Sequence, residues 1–132
     1  MKRKWRELVW RRARSRCEYC RMRQQFDPLP FEIDHIIAEK HLGPTKPSNL
    51  ALACFHCNNF KGPNIAGHDP ATKKLVPLFD PRHDTWQDHF AWKGAILIGQ
   101  TPICRATVQV LAINLAHRIA HRSSLILEGV FP

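Results

Sequence analysis

Two groups of residues in this chain have the types and spacing to do chemistry. Cys17 and Cys20, and again Cys54 and Cys57, form C-x-x-C pairs. Each pair offers two thiolates from one tight knuckle, and two knuckles complete the tetrahedral shell of a structural zinc ion. Asp34-His35 and Asn58 supply oxygen and nitrogen donors that suit a harder, catalytic cation. Phosphodiester hydrolysis needs an activated water, positive charge for the developing phosphorane and a stabilised leaving oxygen. Imidazole, which ordinarily titrates near neutrality, suits the first task. A divalent cation suits the other two.

The two groups are interleaved. A 33-residue insert separates Cys20 from Cys54 and contains Asp34-His35, so a metal on the cysteines would clamp both ends of the segment carrying the other group. Five cysteines is an odd number, which fits a disulfide framework poorly, and Cys104 stands alone inside an apolar stretch as a small buried hydrophobe. A redox dithiol is the competing reading of C-x-x-C, but the βαβ context of a thioredoxin-like motif is missing. Asp34 and His35 are neighbours on an expected strand, so a regular ladder aims them at opposite faces. Their joint use requires a bent or irregular strand at that point.

The elements that must position these groups follow from periodicity and punctuation. Residues 3–16 read as a basic amphipathic helix, with Trp5, Leu8, Val9 and Ala13 on one face. Phe31–Ile37 and Leu50–Ala53 read as short strands, the loop between them carrying Gly43, Pro44 and Pro47. Cys54–Cys57 turns the chain into a helix bearing Asn58 and Lys61, which Gly62-Pro63 ends. Gly67–Lys74 is rich in turn residues, and Leu75–Phe79 is extended, with Pro77 confining it to an edge. A hairpin over 89–98 turns at Lys93-Gly94. Thr101 caps a helix that starts at Pro102, and a last helix runs from about His117 to Glu128. The fold class is α+β, and residues 1–132 are expected to be one domain.

Composition narrows the partners. Apolar content of 44% against 23% charged residues indicates a folded chain. No segment has the roughly 20 apolar residues of a membrane span, and the charged N-terminus has no apolar core of a secretory signal, so a cytoplasmic setting and no membrane partner are expected. Residues 1–23 hold ten Lys or Arg against Glu7 and Glu18, a net +8 out of +9 for the chain. Such concentration favours a polyanion, whose condensed counterions are released on binding. Arg6, Arg11, Arg12, Arg14 and Arg16 are the candidate nucleic-acid contacts.

The set Asp34-His35, Asn49, Cys54-x-x-Cys57-Asn58 and Lys61 resembles the HNH, or ββα-metal, endonuclease family over about residues 15–62. The resemblance implies a ββα-metal core on a zinc-knuckle scaffold, with residues 63–132 as an extension. It implies DNA as substrate, His35 as general base, and Mg2+ or Mn2+ held by Asp34 and Asn58. Asn49 matches the central Asn that ties the loop and holds the base. Lys61 matches a frequent basic residue that touches phosphate. Asn58 departs from the histidine of the family's three-letter name, and an amide oxygen is a sound ligand for a hard cation. A non-catalytic zinc-stabilised nucleic-acid-binding module is the alternative, a thiol redox protein a weaker third, and a homodimer or protein partner is left open.

Overall fold

The computed structural model describes residues 1–132. Its first helix, α1 (Arg3–Ala13), stops three residues short of the expected end because Arg14 and Ser15 take left-handed φ values of 54° and 57°. The reversal feeds the first knuckle, where Cys17 N donates to the Met22 carbonyl and Arg16 bridges to Arg23. Val9 and Ala13 form the buried stripe of α1, which packs on the hairpin below.

That hairpin pairs β1 (Glu32–His35) with β2 (Leu50–Ala53), antiparallel, Glu32 opposite Ala53 and His35 opposite Leu50. All four β2 residues are buried, as expected of a short apolar run covered on both faces. α2 (Phe55–Lys61) follows at once with Cys54 as its N-cap, so one cysteine both starts the helix and faces the knuckle. The first strand is shorter than the expected Phe31–Ile37, because Ile36 and Ile37 already turn into the loop.

The extension adds two more hairpins and three helices. β3 (Ala66–His68) pairs with β4 (Leu75–Pro77), so part of the expected turn over 67–74 is strand. A four-residue helix, α3 (Trp86–His89), was not expected; it leads into β5 (Phe90–Lys93), which pairs with β6 (Ile96–Gly99) around a turn at Gly94-Ala95, one residue later than expected. Thr101 caps α4 (Pro102–Val110), its hydroxyl accepting from Cys104 N, and α5 (Ala116–Leu127) closes the chain. One apolar core joins Val9, Tyr19, Leu50 and Leu52 to Phe79, Leu97, Leu111 and Ile113. The architecture is α+β.

Asp69 locks the β3–β4 turn onto α4. The Arg105 guanidinium grips both its oxygens at 2.9 Å, while Ala71 N and the Thr72 hydroxyl also donate to it. Arg105 foremost, with those donors, holds the Asp69 carboxyl well below the usual carboxylate range. A depressed folded pKa gives stability that is present above the unfolded value of about 3.9 and is lost as pH falls through it toward the folded one. The melting-temperature gap between wild type and Asp69→Asn should therefore narrow between about pH 6 and about pH 3. A gap that widens on acidification rules this out.

Candidate metal and active site

The four cysteines meet in the core. Their sulfurs lie within 4.8 Å of one another, and Cys20 Sγ is 3.7 Å from Cys54 Sγ. Zn–S bonds of about 2.3 Å in a tetrahedron put sulfurs about 3.8 Å apart, so the cluster fits zinc without rebuilding. Cys20 N and Cys57 N donate to Cys17 Sγ and Cys54 Sγ at 3.4 Å, the knuckle amides that stabilise thiolates. Four thiols this close cannot ionise together unaided. Hydrogen bonds received from the other three draw Cys20 down, while Cys54 is pushed up because it donates to the sulfurs around it. A divalent cation resolves that conflict, since coordinated thiols lose their protons.

One cation is already there. Arg118 of α5 is buried, and its Nη2 lies 3.1 Å from Cys57 Sγ and 3.8 Å from Cys54 Sγ. Its Nη1 donates to the Leu111 and Ala112 carbonyls. Burial works against the charge, yet Cys57, Cys20 and Cys54 hold the guanidinium above its ordinary value. A zinc ion with four thiolates carries a net charge of about −2, and Arg118 offsets part of it. Nothing local in the sequence marks this arginine, which stands 61 positions from Cys57.

Asp34, His35 and Asn58 border one open cleft of about 300 Å³, together with Glu39 and Gly62. The ladder is regular through His35, so the expected bend in the strand is absent. Asp34 points inward, 5% exposed, whereas the side chain of His35 is 20% exposed. They share the cleft because the strand ends at His35 and α2 closes over it. His35 Nε2 lies 2.8 Å from the Thr45 hydroxyl and 3.7 Å from Glu39 Oε1, two neighbours that sequence reasoning did not single out.

The loop between the strands is tied by Asn49. Its Oδ1 accepts from Ile37 N, and its Nδ2 donates to the Ile37 and Pro44 carbonyls, each at 2.9 Å. Gly43 makes the tie possible, since a Cβ there would lie 1.7 Å from the Ile37 carbonyl oxygen.

Two expected roles are displaced. Lys61 is 1% exposed and does not face solvent, where it was expected to meet phosphate. Its Nζ donates to Asp34 Oδ1 at 3.2 Å and to the His35 and Ile36 carbonyls at 3.1 Å, using all three donors. The Tyr19 hydroxyl donates to Asp34 Oδ2 at 2.7 Å. Burial pushes the Asp34 carboxyl up, against the pull of Lys61. Arg12, expected on the phosphate backbone, instead donates to the Pro47 and Leu50 carbonyls and pins α1 to the hairpin. Burial, then Arg82, draws its guanidinium below its usual value. Arg6, Arg11 and Arg14 are exposed and Arg16 is half-buried.

Set beside known proteins, this hairpin, helix and cluster coincide with a recognised unit. The family model described as HNH endonuclease matches residues 17–64. An HNH domain is present. The curated Septu protein PtuB of Bacillus thuringiensis is 28% identical over 120 residues, covering 86% of this chain and 42% of that protein. The chain thus spans less than half the length of the relative it matches. No solved structure matches it. The matched segment takes in all four cysteines, Asp34, His35, Asn49, Asn58 and Lys61. No helix is long and apolar enough to cross a membrane.

Proposed function

We propose that the chain is a metal-dependent endonuclease that hydrolyses DNA phosphodiester bonds. The observation that carries this reading is the common cleft of Asp34, His35 and Asn58 beside a buried four-thiol cluster. His35 takes the proton of the attacking water, its ring held by the Thr45 hydroxyl. Asp34 and Asn58 are the residues that would hold Mg2+ or Mn2+, a donor set of hard oxygens. When bound, the cation supplies positive charge to the phosphorane and the departing oxygen. Asn49 keeps the loop that carries Thr45 in place, and Lys61 fixes the carboxylate of Asp34 and the backbone of His35. In this reading Lys61 positions the site and does not touch phosphate.

The basic N-terminus supports a nucleic-acid partner. Arg3 and Lys4 lie in the first turn of α1, with Lys2 as its N-cap and no acidic residue there. Cations at that end oppose the helix dipole, a cost that a bound polyanion offsets. Exposed Arg6 and Arg11 can meet phosphates from the same helix.

A second reading is favoured by one observation, the Lys61–Asp34 pair. An ammonium already on that carboxylate suits a zinc-stabilised DNA-binding module that performs no chemistry. Supercoiled plasmid with Mg2+ or Mn2+ separates the two. Wild type should nick it, and His35→Ala should lose at least about 100-fold in rate while keeping its zinc and its DNA affinity. Nicking by His35→Ala at the wild-type rate sinks the assignment of the base. No nicking by either protein favours the binding module.

A further inference from the structure

The end of α1, the first knuckle and α3 enclose a second cleft, of about 670 Å³. It shares no lining residue with the cleft of Asp34, His35 and Asn58. Arg12, Arg14, Arg16 and Arg21 line it, with Glu18 as the one acidic residue. That carboxylate is already engaged by Arg82 and by Leu52 N. None of the four arginines forms an ion pair, so the cleft keeps a clear excess of positive charge over its one carboxylate. Arg12 Nε is buried and has no hydrogen-bond partner.

The walls also say what the ligand is not. Arg21 covers one ring of Trp86 at 4.9 Å, and Phe90 stacks on the same side chain at 5.1 Å. Trp92 is taken by Arg122 at 5.4 Å and by Phe131 at 5.1 Å. Trp86 is buried between its partners and Trp92 already carries a guanidinium, so neither offers an open ring on which a base would stack. What remains on offer is guanidinium, which matches phosphate oxygens in a forked geometry.

We infer that this cleft binds the phosphodiester backbone of DNA at a distance from the scissile bond, without reading base sequence. The inference rests on the nucleic-acid partner proposed above and not on cleavage. Arg12 links the two sites, because it donates to Leu50, the residue opposite His35 in the hairpin. A phosphate tract held in the second cleft thereby registers the duplex against the first.

The test uses the full chain carrying His35→Ala, so that DNA stays intact, and fluorescence anisotropy with labelled 20-base-pair duplexes of two unrelated sequences. Arg14→Gln with Arg16→Gln should weaken binding about tenfold or more, equally for both duplexes. The slope of log affinity against log salt should flatten by about 2, roughly one unit for each phosphate that is no longer neutralised. Lys73→Asn with Lys74→Gln removes the same charge from the exposed β3–β4 turn and should change affinity by about twofold at most. Arg14→Lys with Arg16→Lys should keep the steep slope, which separates missing charge from a disturbed knuckle. Equal losses in the arginine and lysine pairs overturn the inference, as does a loss confined to one sequence. No DNA binding by the parent protein overturns it too, whereas DNA binding by a wild-type protein that does not nick overturns only the cleavage reading.

Discussion

Removing the metal from the Cys17, Cys20, Cys54 and Cys57 cluster should abolish the cooperative melt of the protein. The reasoning is energetic. Structural zinc contributes on the order of 10–16 kcal/mol at neutral pH, as much as or more than the roughly 5–15 kcal/mol by which ordinary domains are stable. The β1–β2 hairpin has two strands of four residues each, too little to persist alone. All four thiols are buried and belong to the central core, so their repulsion is felt where packing is densest. Chelation followed by circular dichroism and tryptophan fluorescence should show loss of fixed tertiary structure, with Cys57→Ser behaving the same way before any chelator is added. Arg118→Met should be milder, speeding zinc release about 10- to 100-fold because the thiolates lose a charge partner. A metal-free protein that melts at the same temperature with the same steepness removes zinc from the account of the fold.

Lys61→Met should cost about 3–5 kcal/mol, the usual result of stripping one partner from a buried ion pair. Methionine matches the aliphatic stem, so the loss reports the ammonium group. Without it Asp34 keeps only the Tyr19 hydroxyl, and the His35 and Ile36 carbonyls lose their donor. Urea denaturation measures the cost directly. Lys61→Met combined with Asp34→Asn should recover part of it, since the uncompensated carboxylate is gone. A loss under about 1 kcal/mol for Lys61→Met means that the pair does not anchor the strand end to α2.

What the sequence made legible follows from range. The knuckles could be read because ligand type and three-residue spacing are local, and Thr101-Pro102 because a cap and a first-turn proline act within one turn. The β1–β2–α2 unit was legible from its punctuation, with errors confined to strand and helix ends. α3 escaped because four residues leave no periodicity to detect. The expected bend at Asp34-His35 was unnecessary: ending the strand at His35 and closing α2 over it brings both residues to one cleft. Lys61 was misplaced because its spacing reveals the helix face but not that Asp34 waits beneath it. The anchoring role of Arg12, and Arg118 altogether, were invisible for a related reason, since their partners are carbonyls and sulfurs brought near only by the tertiary fold.

Arg118 also bears on any attempt to transplant this unit. The segment that matches the HNH family ends at residue 64, whereas the guanidinium that faces its sulfurs arrives from α5. Cutting at that boundary separates an anionic cluster from its counterion and strips away His117, His121 and Arg122 of the same helix, which stand beside Cys20 and Cys54. The piece recognisable as a cassette is therefore not portable as one. Any graft must carry the closing helix along, or supply a cation of its own in the same place.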